Sequence, residues 1–181
     1  MRKGGWSFDG KPKDKVPDKL WRTMVADRDA DGNNTPPWYH RAALHAMALA
    51  DNNGDLPVQE HLKDGIAGRR KHSQIVTRFL KRVQGVLWNR KFIEGVSDSP
   101  RSKGTEPLFG IGSPETEPGD MICILFGCSV PCILRRSKAG HNDDHFEFVG
   151  EACIYGRMDG EGVTMLNADI WKGKTADFII T

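Results

Sequence analysis

The feature that most constrains this chain is a change in the period of its apolar residues near residue 90. Before that point they recur at helical spacing. Leu20, Trp21, Met24 and Val25 form one stripe after Pro17-Asp18. Tyr39, Ala42, Ala43, Ala46, Met47 and Ala50 form another after Thr35-Pro36-Pro37. A third stripe, through Ile75, Val76, Phe79, Leu80, Val83, Val86 and Leu87, predicts a helix over about 72–88 with its basic residues on the outer face. Thr35 is the expected N-cap of the second helix, with proline tolerated in the first turn. A short helix is expected around 58–63. Asp29-Ala30-Asp31-Gly32 and Asp51-Asn52-Asn53-Gly54 are the breaks between these segments.

From residue 91 the pattern becomes short apolar runs separated by Gly, Pro, Asp and Ser. The runs are 91–94, 108–111, 121–126, 130–135, 146–154, 163–166 and 177–180, which is the signature of a meander or small barrel. Met121 to Phe126 is apolar at alternate and intervening positions alike, so it reads as a central strand covered on both sides. The expected fold is α+β, with N-terminal helices packed on a small antiparallel β-barrel or sheet. Residues 1–16, rich in Gly, Lys, Asp and Pro, read as a flexible arm. Residues 17–181 read as a single domain, helical over 17–90 and β-rich over 91–181.

A chain of 181 residues buries about 70% of its unfolded surface, so it needs no metal or disulfide to fold. Apolar content of 38% and charge of 28% exclude a disordered chain. No apolar run reaches the roughly 18 residues a membrane span needs. The N-terminal residues lack the apolar segment of a secretory signal, so a cytoplasmic location is expected. Cys123, Cys128, Cys132 and Cys153 match no zinc spacing and are expected to be buried, reduced thiols.

The net charge of +2 conceals an asymmetry. Residues 1–90 carry 17 Lys/Arg against 10 Asp/Glu, and residues 91–181 carry 9 against 14. Arg69, Arg70, Lys71, Arg78, Lys81 and Arg82 contribute to the basic excess. With no nucleic-acid-binding motif beside them, they read as the solvated face of a helix, and no nucleic-acid partner is expected.

Motifs for metals and cofactors are weak. Asp27-x-Asp29-x-Asp31-Gly32 begins like an EF-hand loop, but Trp38 stands where the bidentate Glu belongs. The stretch reads as a turn. His40 and His45 do not share a helix face, and His141 and His145 flank a hairpin-like Asn/Asp stretch. No P-loop, Rossmann glycine pattern or nucleophile elbow is present, so neither metal nor cofactor is expected. Two stretches are dense in aromatic and charged groups. One holds Trp21-Arg22-Thr23, Asp27-Arg28 and Trp38-Tyr39-His40-Arg41. The other runs from Gly150-Glu151 to Tyr155-Gly156 and on to Asp159-Gly160-Glu161. Such groups either form an Arg–carboxylate network with Trp filling the seam, or wall a pocket in which carboxylates and histidine do acid/base work. The network is the simpler reading.

These stretches carry a family likeness. Leu20-Trp21-Arg22-Thr23-Met24-Val25-Ala26-Asp27-Arg28, followed by Pro36-Pro37-Trp38-Tyr39-His40-Arg41-Ala42, resembles the C-terminal region of fungal heterokaryon-incompatibility (HET) proteins. Pro118-Gly119-Asp120, Gly127-Cys128-Ser129-Val130-Pro131, Gly150-Glu151 and Met158-Asp159-Gly160-Glu161 follow in the order that region uses. The likeness covers about 17–165. It departs at Tyr155, where the family commonly has a His before the Gly. The N-terminal α/β HET domain, to which the family's cell-death activity is attributed, has no counterpart in the sequence.

The resemblance implies a recognition or scaffold module acting through a protein partner. The other expectation is a small cofactor-independent enzyme of fungal secondary metabolism, a cyclase or isomerase, with a small-molecule pocket at the helix–barrel seam. For that case Asp27, His40, Glu151 and Asp159 are the catalytic candidates. Trp21, Arg22, Trp38, Arg41 and Tyr155 are the substrate-binding ones.

Overall fold

A computed structural model describes residues 15–51, 55–66, 73–96, 107–137, 145–161 and 175–180, without the side chains of 64–66. It is mixed α+β, with four helices and seven strands among these residues. The chain falls into two compact units, one ending at Trp88 and the other beginning at Asn89.

The first unit is helical. Helix α1 (Asp18–Met24) starts behind Pro17, whose carbonyl accepts from the N–H groups of Leu20 and Trp21. It ends in a left-handed cap. Ala26 N–H donates to Thr23 O at 3.1 Å and Asp27 N–H to Arg22 O at 2.8 Å, with Ala26 and Asp27 at φ 53 and 50. Helix α2 (Trp38–Met47) has Pro37 at its N-cap and no side-chain cap. Thr35 therefore does not cap it; its hydroxyl lies between Arg22 and Asp27 instead. Helix α3 spans Val58–Ile66. Helix α4 (Gln74–Leu87) is capped by Ser73, whose Oγ accepts from Val76 N–H.

Leu20, Val25, Tyr39, Ala42, Ala46, Met47, Phe79, Leu80 and Val83 are almost completely buried and form the helical core. Val16, at the end of the expected arm, is buried with them; residues 1–14 lie outside the described residues. Ile75, expected on the buried face of α4, is 51% exposed. Val76, one residue on, takes the inward position because the stripe continues through Phe79, Leu80, Val83 and Val86.

The second unit holds two open sheets rather than a closed barrel. In the first, β1 (Lys91–Gly95), β2 (Leu108–Gly112) and β6 (Cys153–Ile154) lie in that order, all antiparallel. The second has the order β3 (Met121–Cys123), β4 (Cys132–Arg136), β5 (His145–Glu151) and β7 (Ile179–Ile180). Its last pairing is parallel, with His145 opposite Ile179. The run 146–154 is thus two strands, and a single residue, Ala152, separates the member of one sheet from the member of the other. Ile93, Ile133, Ala152 and Ile154 form a core that Leu108, Ile122 and Val149 pack against.

Met121 to Phe126 is not a central strand. Pairing stops at Cys123 opposite Cys132, and β3 is the half-buried edge of its sheet. Ile124 and Phe126 are 38% and 76% exposed in the turn that follows. Residues 163–166, expected as a strand, lie outside the described residues.

Candidate functional site

The left-handed end of α1 brings Asp27 back over its own helix. Arg22 donates to Asp27 Oδ1 at 2.7 Å and to Thr35 Oγ1 at 3.1 Å, and Thr35 donates to Asp27 Oδ1 at 3.2 Å. Arg22 also lies 4.8 Å from the centre of the Trp21 ring. The Trp21 indole N–H donates to Asp18, and its ring is 6.0 Å from that of His40. Four of the expected site residues, Trp21, Arg22, Asp27 and His40, therefore share one cluster. Its hydrogen bonds are those of a structural network, with the Asp27 carboxylate held by a guanidinium and a hydroxyl. Arg41 is exposed on α2.

The remaining candidates belong to the second unit. Glu151 ends β5 and is exposed. A β-bulge puts it there. Leu134 faces Phe148 and Ile133 faces Gly150, so Val149 is the extra residue. Were Val149 instead paired regularly with Ile133, alternation would carry Glu151 onto the face of Ile133 and take Ala152 off it. Gly150 suits the site: it has φ 154, and a Cβ there would lie 3.1 Å from Ser113 Cβ. Tyr155, 38% exposed, donates its backbone N–H to Phe109 O at 2.9 Å. Asp159 is exposed in a turn at φ 53.

The site that sequence reasoning missed lies within the helical unit. A groove of about 540 Å³ is lined by Asp29, Ala30, Asp31, Pro36, Trp38, Tyr39, Arg78, Lys81, Arg82 and Gly85. Of the nine expected residues, Trp38 alone lines it. Three cations come from α4 at i, i+3 and i+4, which is one helix face. Arg78 stands 5.5 Å from the centre of the Trp38 ring, and Trp38 meets Tyr39 edge-on at 4.5 Å. That spacing on α4, and the Trp opening α2, were the available signals.

The three cations do different work. Arg82 is built into the wall. Its Nε donates to Arg28 O at 3.0 Å and its Nη2 to Val25 O at 3.1 Å, fastening α4 to the end of α1. Arg78 and Lys81 are exposed, and neither is ion-paired among the described residues. The Asp27–Gly32 stretch is a turn built by Asp29, whose Oδ1 accepts from the N–H groups of Asp31 and Asn33 at 2.9 and 2.8 Å. Partial desolvation pulls the Asp29 carboxyl up. Those N–H groups and the Arg82 charge outweigh it and hold the carboxyl below its usual value, so Asp29 is an anion near neutral pH. Burial pushes the Tyr39 phenol up against the pull of Arg82, and it stays protonated. The groove thus offers a cation-flanked indole face, two exposed cations and an anionic rim.

The described residues contain no group of three or more His, Cys, Asp or Glu placed to hold a metal. No helix among them is long and apolar enough to cross a membrane. No family model, curated protein or solved structure matches this chain.

Proposed function

We propose that the chain is a recognition module whose helical unit docks an acidic, aromatic-bearing segment of a partner protein in the α2–α4 groove. The observation that carries this reading is the Trp38 face with Arg78 and Lys81 beside it, both exposed and neither ion-paired among the described residues. A carboxylate meeting an exposed guanidinium forms a charge-assisted hydrogen bond, and Trp and Arg are both among the residues enriched at binding hot spots. The likeness to the C-terminal region of HET proteins supports the same class of function. The enzyme reading draws less support. Asp27 is engaged by Arg22 and Thr35, and no expected acid/base residue lines the groove.

Titration with a short Glu-rich peptide carrying one Tyr, against a Lys-rich control of equal length, tests it. The acidic peptide is expected to bind and to shift the Trp38 indole signal in NMR spectra. Arg78→Glu and Lys81→Glu, both surface changes, are expected to weaken it about tenfold each, the equivalent of roughly 1.4 kcal/mol. Equal binding of the basic peptide, or indifference to both substitutions, sinks the proposal.

A further inference from the structure

Buried polar groups in a folded protein are nearly always hydrogen-bonded. Among the described residues, Trp21, Thr23 and Tyr39 are the buried ones that carry a side-chain O–H or ring N–H. The Trp21 indole donates to Asp18 at 2.9 Å, and the Thr23 hydroxyl to Lys19 O at 2.6 Å. Tyr39 is the exception. It is 3% exposed, and its hydroxyl makes no hydrogen bond among the described residues. Of the thiols, all expected to be buried, Cys132 and Cys153 are, whereas Cys128 is exposed and Cys123 intermediate. A thiol is a weak donor, so its pairing says little. A phenol O–H left unpaired in the interior is costly, and buried tyrosines find a partner for it.

Packing shows the side from which that partner comes. The Tyr39 ring meets Phe79 of α4 edge-on at 5.5 Å and Trp38 edge-on at 4.5 Å. It meets open space where it lines the α2–α4 groove. The charged residues that act on its phenol, Arg82, Asp29, Arg78 and Asp31, belong to the same lining. Charge then decides what kind of group it receives. The lining holds three cations against two carboxylates, and Asp29 already accepts from two backbone N–H groups. The phenol stays protonated, so it enters as a donor. A donor beside a surplus of cations selects an anionic acceptor.

We propose that Tyr39 is the specificity-determining residue of the groove, its hydroxyl donating to one carboxylate oxygen of a Glu or Asp side chain in the docked segment. Arg78 and Lys81 draw acidic residues to the groove from outside, and Tyr39 fixes one of them in place. The inference rests on the docking reading above and adds to it a single recognised carboxylate. It also sets a sign that an ordinary buried hydroxyl does not have. Because the hydroxyl holds nothing together within the described residues, its removal harms binding and leaves folding unharmed.

The test compares the native chain with Tyr39→Phe, which keeps the ring and removes only the oxygen. The melting temperature of Tyr39→Phe is expected to equal that of the native chain or exceed it. Calorimetry with the Glu-rich, Tyr-bearing peptide is expected to show binding about tenfold weaker, the loss of one hydrogen bond to a charged acceptor. Replacing the peptide's Glu residues by Ala one at a time is expected to find one whose loss makes Tyr39→Phe silent, as a directly coupled pair requires. A melting temperature several degrees lower would make the hydroxyl a structural group and overturn the proposal. So would full additivity of Tyr39→Phe with every Glu→Ala change. Equal binding by the native chain and Tyr39→Phe overturns this inference alone. A peptide that does not bind the native chain overturns the docking reading and this inference together.

Discussion

Asp120 is a residue whose role is set by three donors. Arg135 Nε and Nη2 grip its two oxygens at 2.8 and 2.9 Å, and Glu117 N–H donates to Oδ2 at 2.7 Å. The side chain is only 4% exposed. The fork of Arg135, offset in part by desolvation and aided by the Glu117 N–H, holds the carboxyl below its usual value. A folded-state value below the unfolded one of about 3.9 means that the stabilisation is complete above that pH and is lost as pH falls through the folded value. Asp120→Asn is therefore expected to cost about 2 kcal/mol at neutral pH, as hydrogen bonds to charge do. Urea midpoints should show the gap closing below about pH 4. A gap that is constant with pH would mean that packing, not charge, is what Asp120 supplies. Some residue-level roles were legible and some were not. The Trp21–Arg22–Asp27 network follows from the density of complementary groups in one stretch. The groove does not, because Arg78, Lys81 and Arg82 look like any solvated helix face until α2 sets Trp38 against them.

At the scale of elements, periodicity located α2 and α4 and most strands, since an apolar stripe of period 3.6 has one way to be buried. It failed at Met121 to Phe126. An apolar run reports hydrophobicity without reporting whether a partner strand lies on each side, and here Gly127 and Pro131 end the pairing early. The one-residue strand break at Ala152 was equally hidden, because Phe146 to Ile154 has the composition of one long strand. Glycine at 110 is the opposite case, a position whose chemistry becomes clear only from its neighbours. It stands in β2 between Ile93 and Ile154, and a Cβ there would run into the backbone carbonyl of Cys153 and into the Ile154 side chain. Backbone cannot rotate away as a side chain can. Gly110→Ala is expected to destabilise the second unit by about 3 kcal/mol, the upper end for overpacking. Hydrogen exchange should show the loss concentrated at β2 and β6. Unchanged protection of Ile154 and Tyr155 would refute this.

At the scale of the molecule, the division into a helical and a β unit was legible as the change of period near residue 90, and the boundary falls between Trp88 and Asn89. The division of charge falls in nearly the same place, with 17 Lys/Arg in the first 90 residues of the 26 in the chain. Exposed charges are screened beyond about 10 Å at 0.1 M salt. Peptide binding at the groove is accordingly expected to weaken several-fold between about 50 and 500 mM salt, with dissociation constants from calorimetry as the measure. Salt-independent binding would leave Trp38 acting by apolar contact alone. The second unit carries a mechanical consequence of its own. Only Ala152 stands between β5 and β6, its N–H tied to Pro131 O at 2.8 Å, and one residue of extended chain reaches no more than about 3.6 Å. Such a joint leaves no slack. A tug on the strand ends where Glu151 faces Cys132 has to be felt in the neighbouring three-stranded layer, so the two layers behave as a single lever rather than as a hinge.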